Sequence, residues 1–177
     1  MNCPGWFSVD RRKTWPVFLK PSLIVPDVTH IDLALLRSLN IAGFLFDLDN
    51  TVMRPHSGVV SEPIRQWLEA TRQAGFKNAV VSNNKRPEYC KQAEAILAMP
   101  VIYRAWKPCK RGFYQGLEML SLEAHQVAVV GDRPLTDIWG GLRIGAYTIL
   151  VDPINKGIEP FPIKILRAME RSLILEP

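Results

Sequence analysis

Two aspartates one residue apart, Asp47 and Asp49, close the apolar run Gly43-Phe44-Leu45-Phe46. Carboxylates at the end of an apolar strand are costly unless a cation or hydrogen-bond donors compensate them. The pair fits a magnesium site with an acid in reach of the bound substrate. Further along, Ser82 ends a second apolar run, Lys107 follows a third, and Asp132 and Asp137 follow a fourth. Acids, one lysine and one hydroxyl suit phosphoryl transfer. A carboxylate can attack phosphorus and form an aspartyl-phosphate, splitting a hard step in two. A divalent cation, a lysine and a serine can hold the phosphate oxygens. Phosphate monoester hydrolysis is so slow unaided that the rate enhancement can approach ~10²¹. One isolated acid could not supply that.

The elements that must position these residues follow from periodicity. Residues 1–28, with prolines at 4, 16, 21 and 26, read as an irregular arm that packs over the sheet edge or forms a membrane-contacting lip. Thr29 is expected to cap a short helix that buries Leu33, Leu36 and Leu39. Ile41 to Asp47 reads as the first strand, in which alternation would aim Asp47 and Asp49 the same way. Ser61 opens a helix carrying Ile64, Trp67, Leu68 and Ala74, and Gly75 ends it. A strand from Lys77 to Ser82, a helix over 87–97 and a strand from Val101 to Ala105 come next. Phe113, Leu117 and Leu120 mark another helix, before strands at Val127–Val130 and Tyr147–Val151. This alternation predicts an α/β fold with a doubly wound parallel sheet over residues 29–155. In such sheets the site lies outside the carboxyl ends of the strands. Asp47, Asp49, Ser82, Lys107, Asp132 and Asp137 all fall there.

Composition narrows the class. With 47% hydrophobic and 22% charged residues, the 177-residue chain suits one globular domain with a substantial core. A net charge of +5 favours anionic substrates or surfaces. It comes without a dense basic stripe interleaved with aromatics, so no nucleic-acid partner is expected. Three scattered cysteines, Cys3, Cys90 and Cys109, make neither a disulfide framework nor a zinc site and suit a reducing, cytoplasmic setting. No apolar run is long enough to span a bilayer. Residues 156–177 read as a helix from about Phe161, with Ile165, Leu166, Met169 and Leu173 on one side and Lys164, Arg167 and Arg171 on the other. Such a helix packs on the core or lies at an anionic membrane surface, making the protein peripheral there.

Asp47-Leu48-Asp49-Asn50-Thr51 resembles the first motif of the haloacid-dehalogenase (HAD) phosphatases. Val81-Ser82-Asn83-Asn84, Trp106-Lys107-Pro108 and Val130-Gly131-Asp132 followed by Asp137 resemble the second, third and fourth motifs, in order. The stretch Gly131-Asp132-Arg133-Pro134-Leu135-Thr136-Asp137 and Leu19-Lys20-Pro21 are similar to the YqeG-type branch, which includes phosphatidylglycerophosphate phosphatases. That resemblance implies a HAD/Rossmann-like core. It makes Asp47 the nucleophile and Asp49 the general acid and then base. Ser82 would hold the transferring phosphoryl group, and Lys107 would stabilise the nucleophile and intermediate. Asp47, the Asp49 carbonyl and Asp132 would bind Mg²⁺, with Asp137 in support. Thr51, Asn83, Arg54 and Arg133 complete the expected substrate contacts, although Arg133 stands where that branch commonly has an amide.

Only 35 positions separate Asp47 from Ser82, and 25 separate Ser82 from Lys107. A helix and a strand fill each gap, so no cap domain, or a minimal one, is expected. An open site suits a bulky phosphate monoester such as a phosphorylated lipid headgroup, and the resemblance implies phosphatidylglycerophosphate, dephosphorylated to phosphatidylglycerol. Two alternatives stand beside it: a soluble nucleotide or sugar phosphatase, and a non-catalytic module that binds metal and phosphate.

Overall fold

The computed structural model describes residues 19–155 and 169–174. Residues 1–18 of the expected arm, and 156–168 and 175–177 of the expected C-terminal helix, lie outside the described residues. The sheet has six strands: β1 (Leu23–Val25), β2 (Gly43–Phe46), β3 (Lys77–Val81), β4 (Val101–Ile102), β5 (Val127–Gly131) and β6 (Tyr147–Val151). Their order is β1-β6-β5-β2-β3-β4 and every pairing is parallel. From β2 the chain winds outward through β3 and β4, then returns to β5 on the other side. β2 therefore lies at the topological switch point, where parallel α/β sheets leave a crevice at the strand ends.

β2 is buried throughout because helices cover both sheet faces. On one face Phe44 and Phe46 stack with centroids 5.1 Å apart. Trp67 of α2 (Glu62–Gln73) meets them edge-on at 5.6 and 6.0 Å. On the other face Leu45 joins Phe113 and Leu117 of α4 (Lys110–Leu120). The remaining helices are α1 (Leu33–Ser38), α3 (Pro87–Leu97) and α5 (Trp139–Ile144). Between β2 and β3 lie one loop and α2, and between β3 and β4 lies α3. No cap domain interrupts either connection.

Several local expectations are corrected. Leu23-Ile24-Val25 is an edge strand, paired in register with Ile149, Leu150 and Val151 of β6, where an irregular arm was expected. Its main-chain pairing needs no side-chain pattern, and flanking Pro21 and Pro26 hide it. Thr29 caps nothing; the Asp27 carboxylate caps a 3-10 turn at Val28–His30, and Asp32 caps α1. α1 stops at Ser38, so Leu36 is buried while Leu39 is 44% exposed. β4 ends at Ile102, well short of Ala105. In the described part of the C-terminal helix Met169 is exposed, whereas Glu170, between two residues of opposite expected faces, is buried.

Candidate active site

Asp47 is the first residue beyond β2, and its amide still donates to the Val130 carbonyl at 2.8 Å. The main chain thus holds it in line with the neighbouring strand end. The Lys107 Nζ lies 2.5 Å from Asp47 Oδ1 and 2.6 Å from Asp137 Oδ1. Asp47, Asp132 and Asp137 each bring a carboxylate oxygen into one group whose members lie within 4.8 Å of one another. Asp132 and Asp137 are buried, and Thr51 donates its hydroxyl to Asp47 Oδ2 at 3.4 Å.

Among the described residues, the Lys107 ammonium bridges two of these three carboxylates, Asp47 and Asp137. Burial pushes the Asp47 carboxyl up to about 8, with Lys107 opposing and Asp137 and Asp132 adding to the rise. Burial alone would lower Lys107, yet Asp137 and Asp47 outweigh it and hold the ammonium above its ordinary value. Hard carboxylate oxygens gathered this closely fit a small divalent cation such as Mg²⁺.

Asp137 reaches the group from a π-helical turn at Pro134–Ile138. The Arg133 amide donates to its Oδ2 at 3.1 Å. A Cβ at Gly131 would overlap the Asp137 side chain, so only glycine at the end of β5 leaves room for that carboxylate.

Lys107 is placed by the loop after β3. Its amide donates to Asn83 Oδ1 at 2.6 Å, and Asn83 Nδ2 returns a bond to its carbonyl at 3.1 Å. Ser82 is buried; its amide donates to Ile102 O, its carbonyl accepts from Ala105 N, and its hydroxyl accepts from Asn84 N at 3.1 Å. Gly112 of α4 lies so close to Ala105 that a side chain there would strike its Cβ and backbone. This contact packs the β4–α4 loop tightly against α4.

Asp49 sits apart from the acidic group. β2 ends before the acid pair, so strand alternation does not set its direction. Asp49 Oδ1 accepts from the Tyr89 hydroxyl at 2.6 Å, and Oδ2 from Asn84 Nδ2 at 3.2 Å. Burial and the bonded Asp49 push the Tyr89 phenol above its ordinary range. Tyr89 was not among the sequence-derived candidates. Its one legible clue is its place in the first turn of the helix that follows Ser82-Asn83-Asn84.

Of the remaining candidates, Arg54 is exposed in a loop where its amide donates to Val59 O at 2.9 Å. The Arg133 guanidinium is turned to Glu170, with contacts of 2.5 and 3.3 Å to the two carboxylate oxygens. Arg133 therefore joins the C-terminal segment to the loop bearing Asp132 and Asp137.

The chain matches the family model described as mitochondrial PGP phosphatase over residues 8–158. It belongs to this family. The probable phosphatase YqeG of Bacillus subtilis is 32% identical over 157 residues, spanning 89% of this chain and 90% of that protein. A chloroplastic and mitochondrial phosphatidylglycerophosphate phosphatase 1 of Arabidopsis thaliana is 32% identical over 167 residues, and the match spans 47% of its length. This chain thus covers about half of that relative. A putative 3-deoxy-D-manno-octulosonate 8-phosphate phosphatase from Vibrio cholerae shares the fold, with a TM-score of 0.52 and 15% identity over 83% of this chain and 80% of that one. Membership makes the chain a phosphatase. No helix among the described residues is long and apolar enough to cross a membrane.

Proposed function

We propose that this phosphatase is magnesium-dependent, works through an aspartyl-phosphate, and converts phosphatidylglycerophosphate to phosphatidylglycerol and phosphate. The observation that carries the chemistry is the division of labour between the two acids. Asp47 shares Lys107 with Asp137, whereas Asp49 has its own donors in Tyr89 and Asn84. The lipid substrate draws support from the named activity of the Arabidopsis relative and from the uncapped site.

In this reading Asp47 attacks phosphorus as the bond to the lipid alcohol breaks, and Asp49 gives its proton to the departing oxygen. Asp49, then a carboxylate, takes a proton from the water that attacks phosphorus and frees Asp47. Lys107 holds the Asp47 carboxylate in position, and Ser82 donates to the phosphoryl group. Asp47, Asp132 and Asp137, with the Asp49 carbonyl, would hold Mg²⁺, which when bound neutralises phosphate oxygens.

Tyr89 and Asn84 orient Asp49. Tyr89→Phe is expected to lower kcat roughly tenfold with KM little changed, because a bond to a charged group is lost while substrate contacts remain. Steady-state kinetics checks it; an unchanged kcat would free Asp49 from this support.

The substrate is tested by phosphate release with Mg²⁺ from phosphatidylglycerophosphate in mixed micelles against a panel of soluble nucleotide and sugar phosphates. Higher kcat/KM on the lipid is expected. Preference for a soluble ester would discard the lipid and keep the chemistry. No release from any substrate would favour a non-catalytic module.

A further inference from the structure

The loops after β3 and β4 form a single rim beside Lys107. The Arg104 amide donates to Asn84 O at 3.0 Å, and its guanidinium reaches Lys85 O at 3.4 Å. Lys85 Nζ lies over the Trp106 ring, 5.1 Å from its centroid. These links fix the two loops to each other, and Asn83 fixes both to Lys107.

What the rim presents is unusual for a solvated surface. Trp106 is 60% exposed and Tyr103 is 42% exposed. Arg104 and Trp106 adopt left-handed backbone, with φ of 50° and 55°, although neither is glycine. Bulky residues pay for that conformation, and it persists where the surroundings demand it. Here it turns Arg104 and Trp106 outward while Ala105 and Lys107 between and after them stay buried.

The charge placement points the same way. Lys110 and Arg111, both exposed, occupy the first turn of α4, which contains no acid. Cations are disfavoured at that end of a helix. With Lys85, Arg86 and Arg104 they make a cationic rim in which Glu88 is the acid within residues 83–111 nearest in sequence to Lys85 and Arg86. An anionic partner would offset the unfavourable placement. Exposed tryptophan and tyrosine flanked by lysine and arginine suit the headgroup layer of a bilayer, where one end of each ring is apolar and the other wet.

We propose that this rim is the surface by which the enzyme docks on bilayers bearing anionic phospholipid, bringing Lys107 and Asp47 to the plane of the headgroups. The proposal rests on the lipid-substrate reading above and assigns the partner surface of the same site. Two isolated aromatics make no stacking platform for successive bases, so a lipid surface is favoured over single-stranded nucleic acid.

The test is co-sedimentation of the full chain with phosphatidylcholine vesicles, with and without phosphatidylglycerol, alongside turnover of p-nitrophenyl phosphate in solution. Wild type is expected to bind the anionic vesicles, less at high salt. Arg104→Gln should weaken that binding roughly fivefold, in line with one cation at a charged surface. Adding Trp106→Ala should weaken it further. Lys110→Glu with Arg111→Glu gives a second variant whose folding is not in question, since acids suit the first turn of a helix. It should melt no lower than wild type yet leave the anionic vesicles. Full vesicle binding by the variants, with wild type acting on the lipid, would overturn the docking surface and leave the substrate reading intact. Wild type that ignores vesicles and hydrolyses soluble esters alone would overturn both. Binding of a single-stranded oligonucleotide in place of vesicles, lost in the same variants, would overturn the lipid partner.

Discussion

Asp47→Asn is expected to remove phosphate release by at least about 10⁴-fold, since an amide cannot replace a carboxylate that bonds to phosphorus. The same change should not unfold the protein. Lys107 keeps Asp137 at 2.6 Å, and one of three crowded carboxylates is gone. Burial and the neighbouring acids push the Asp47 carboxyl upward, so its charged form is a burden in the metal-free fold. The variant should therefore melt at or above the wild-type temperature without Mg²⁺. Phosphate release and a thermal melt on the same sample check both halves. Lost activity with a lowered melting temperature would make Asp47 a structural residue.

Lys107→Met is expected to do the opposite to the fold. Its side chain is 2% exposed and joins Asp47 to Asp137. Removing it leaves buried carboxylates without their cation, a change that costs about 3–5 kcal/mol when one member of a buried pair is deleted. Denaturant unfolding should show that loss, and Asp137→Asn in the same chain should recover part of it by removing a charge Lys107 had balanced. Catalysis should fall as well, by about 10²-fold or more, as when a preorganised electrostatic group is lost. A stable Lys107→Met would mean that the pair is not needed to hold the strand ends together.

Much of this arrangement was legible because the core is written in long apolar runs. Phe44 to Phe46, Ala79 to Val81 and Val127 to Val130 are buried on both sides of the sheet, so their hydrophobicity is continuous and their ends are marked by polar residues. Those ends are where Asp47, Ser82 and Asp132 stand. Parts that depend on main-chain pairing or on a single contact were not legible. β1 is held by parallel hydrogen bonding to β6, which any residue can provide. β4 ends early because the chain turns at Arg104 and Trp106 through left-handed backbone, a conformation their side chains do not advertise.

The site shows the same divide. Lys107 and Asp137 are themselves motif residues, whereas Tyr89 reaches Asp49 from 40 positions away in sequence. Beyond its place in the first turn of α3, nothing in the sequence around Tyr89 marks that meeting. Glu170 is buried because Arg133 receives it, an ion pair that an amphipathic pattern reads as a solvated charge. Arg133, expected at the phosphate, pairs with Glu170 of the C-terminal segment. Arg171 pairs with Asp152 in the same region, and the Leu19 amide donates to Leu173 O at 2.8 Å, so these contacts also tie the segment to the core.

The most direct test of the central claim is to trap the intermediate. Asp49→Asn lacks the base for the second step, and p-nitrophenyl phosphate has a leaving group that departs without a proton. Mixing the two with Mg²⁺, quenching in acid and weighing the peptides should find a phosphoryl group on the peptide that contains Asp47. A phosphoryl group on any other residue, or free phosphate forming at the wild-type rate with no labelled peptide, would contradict nucleophilic attack by Asp47.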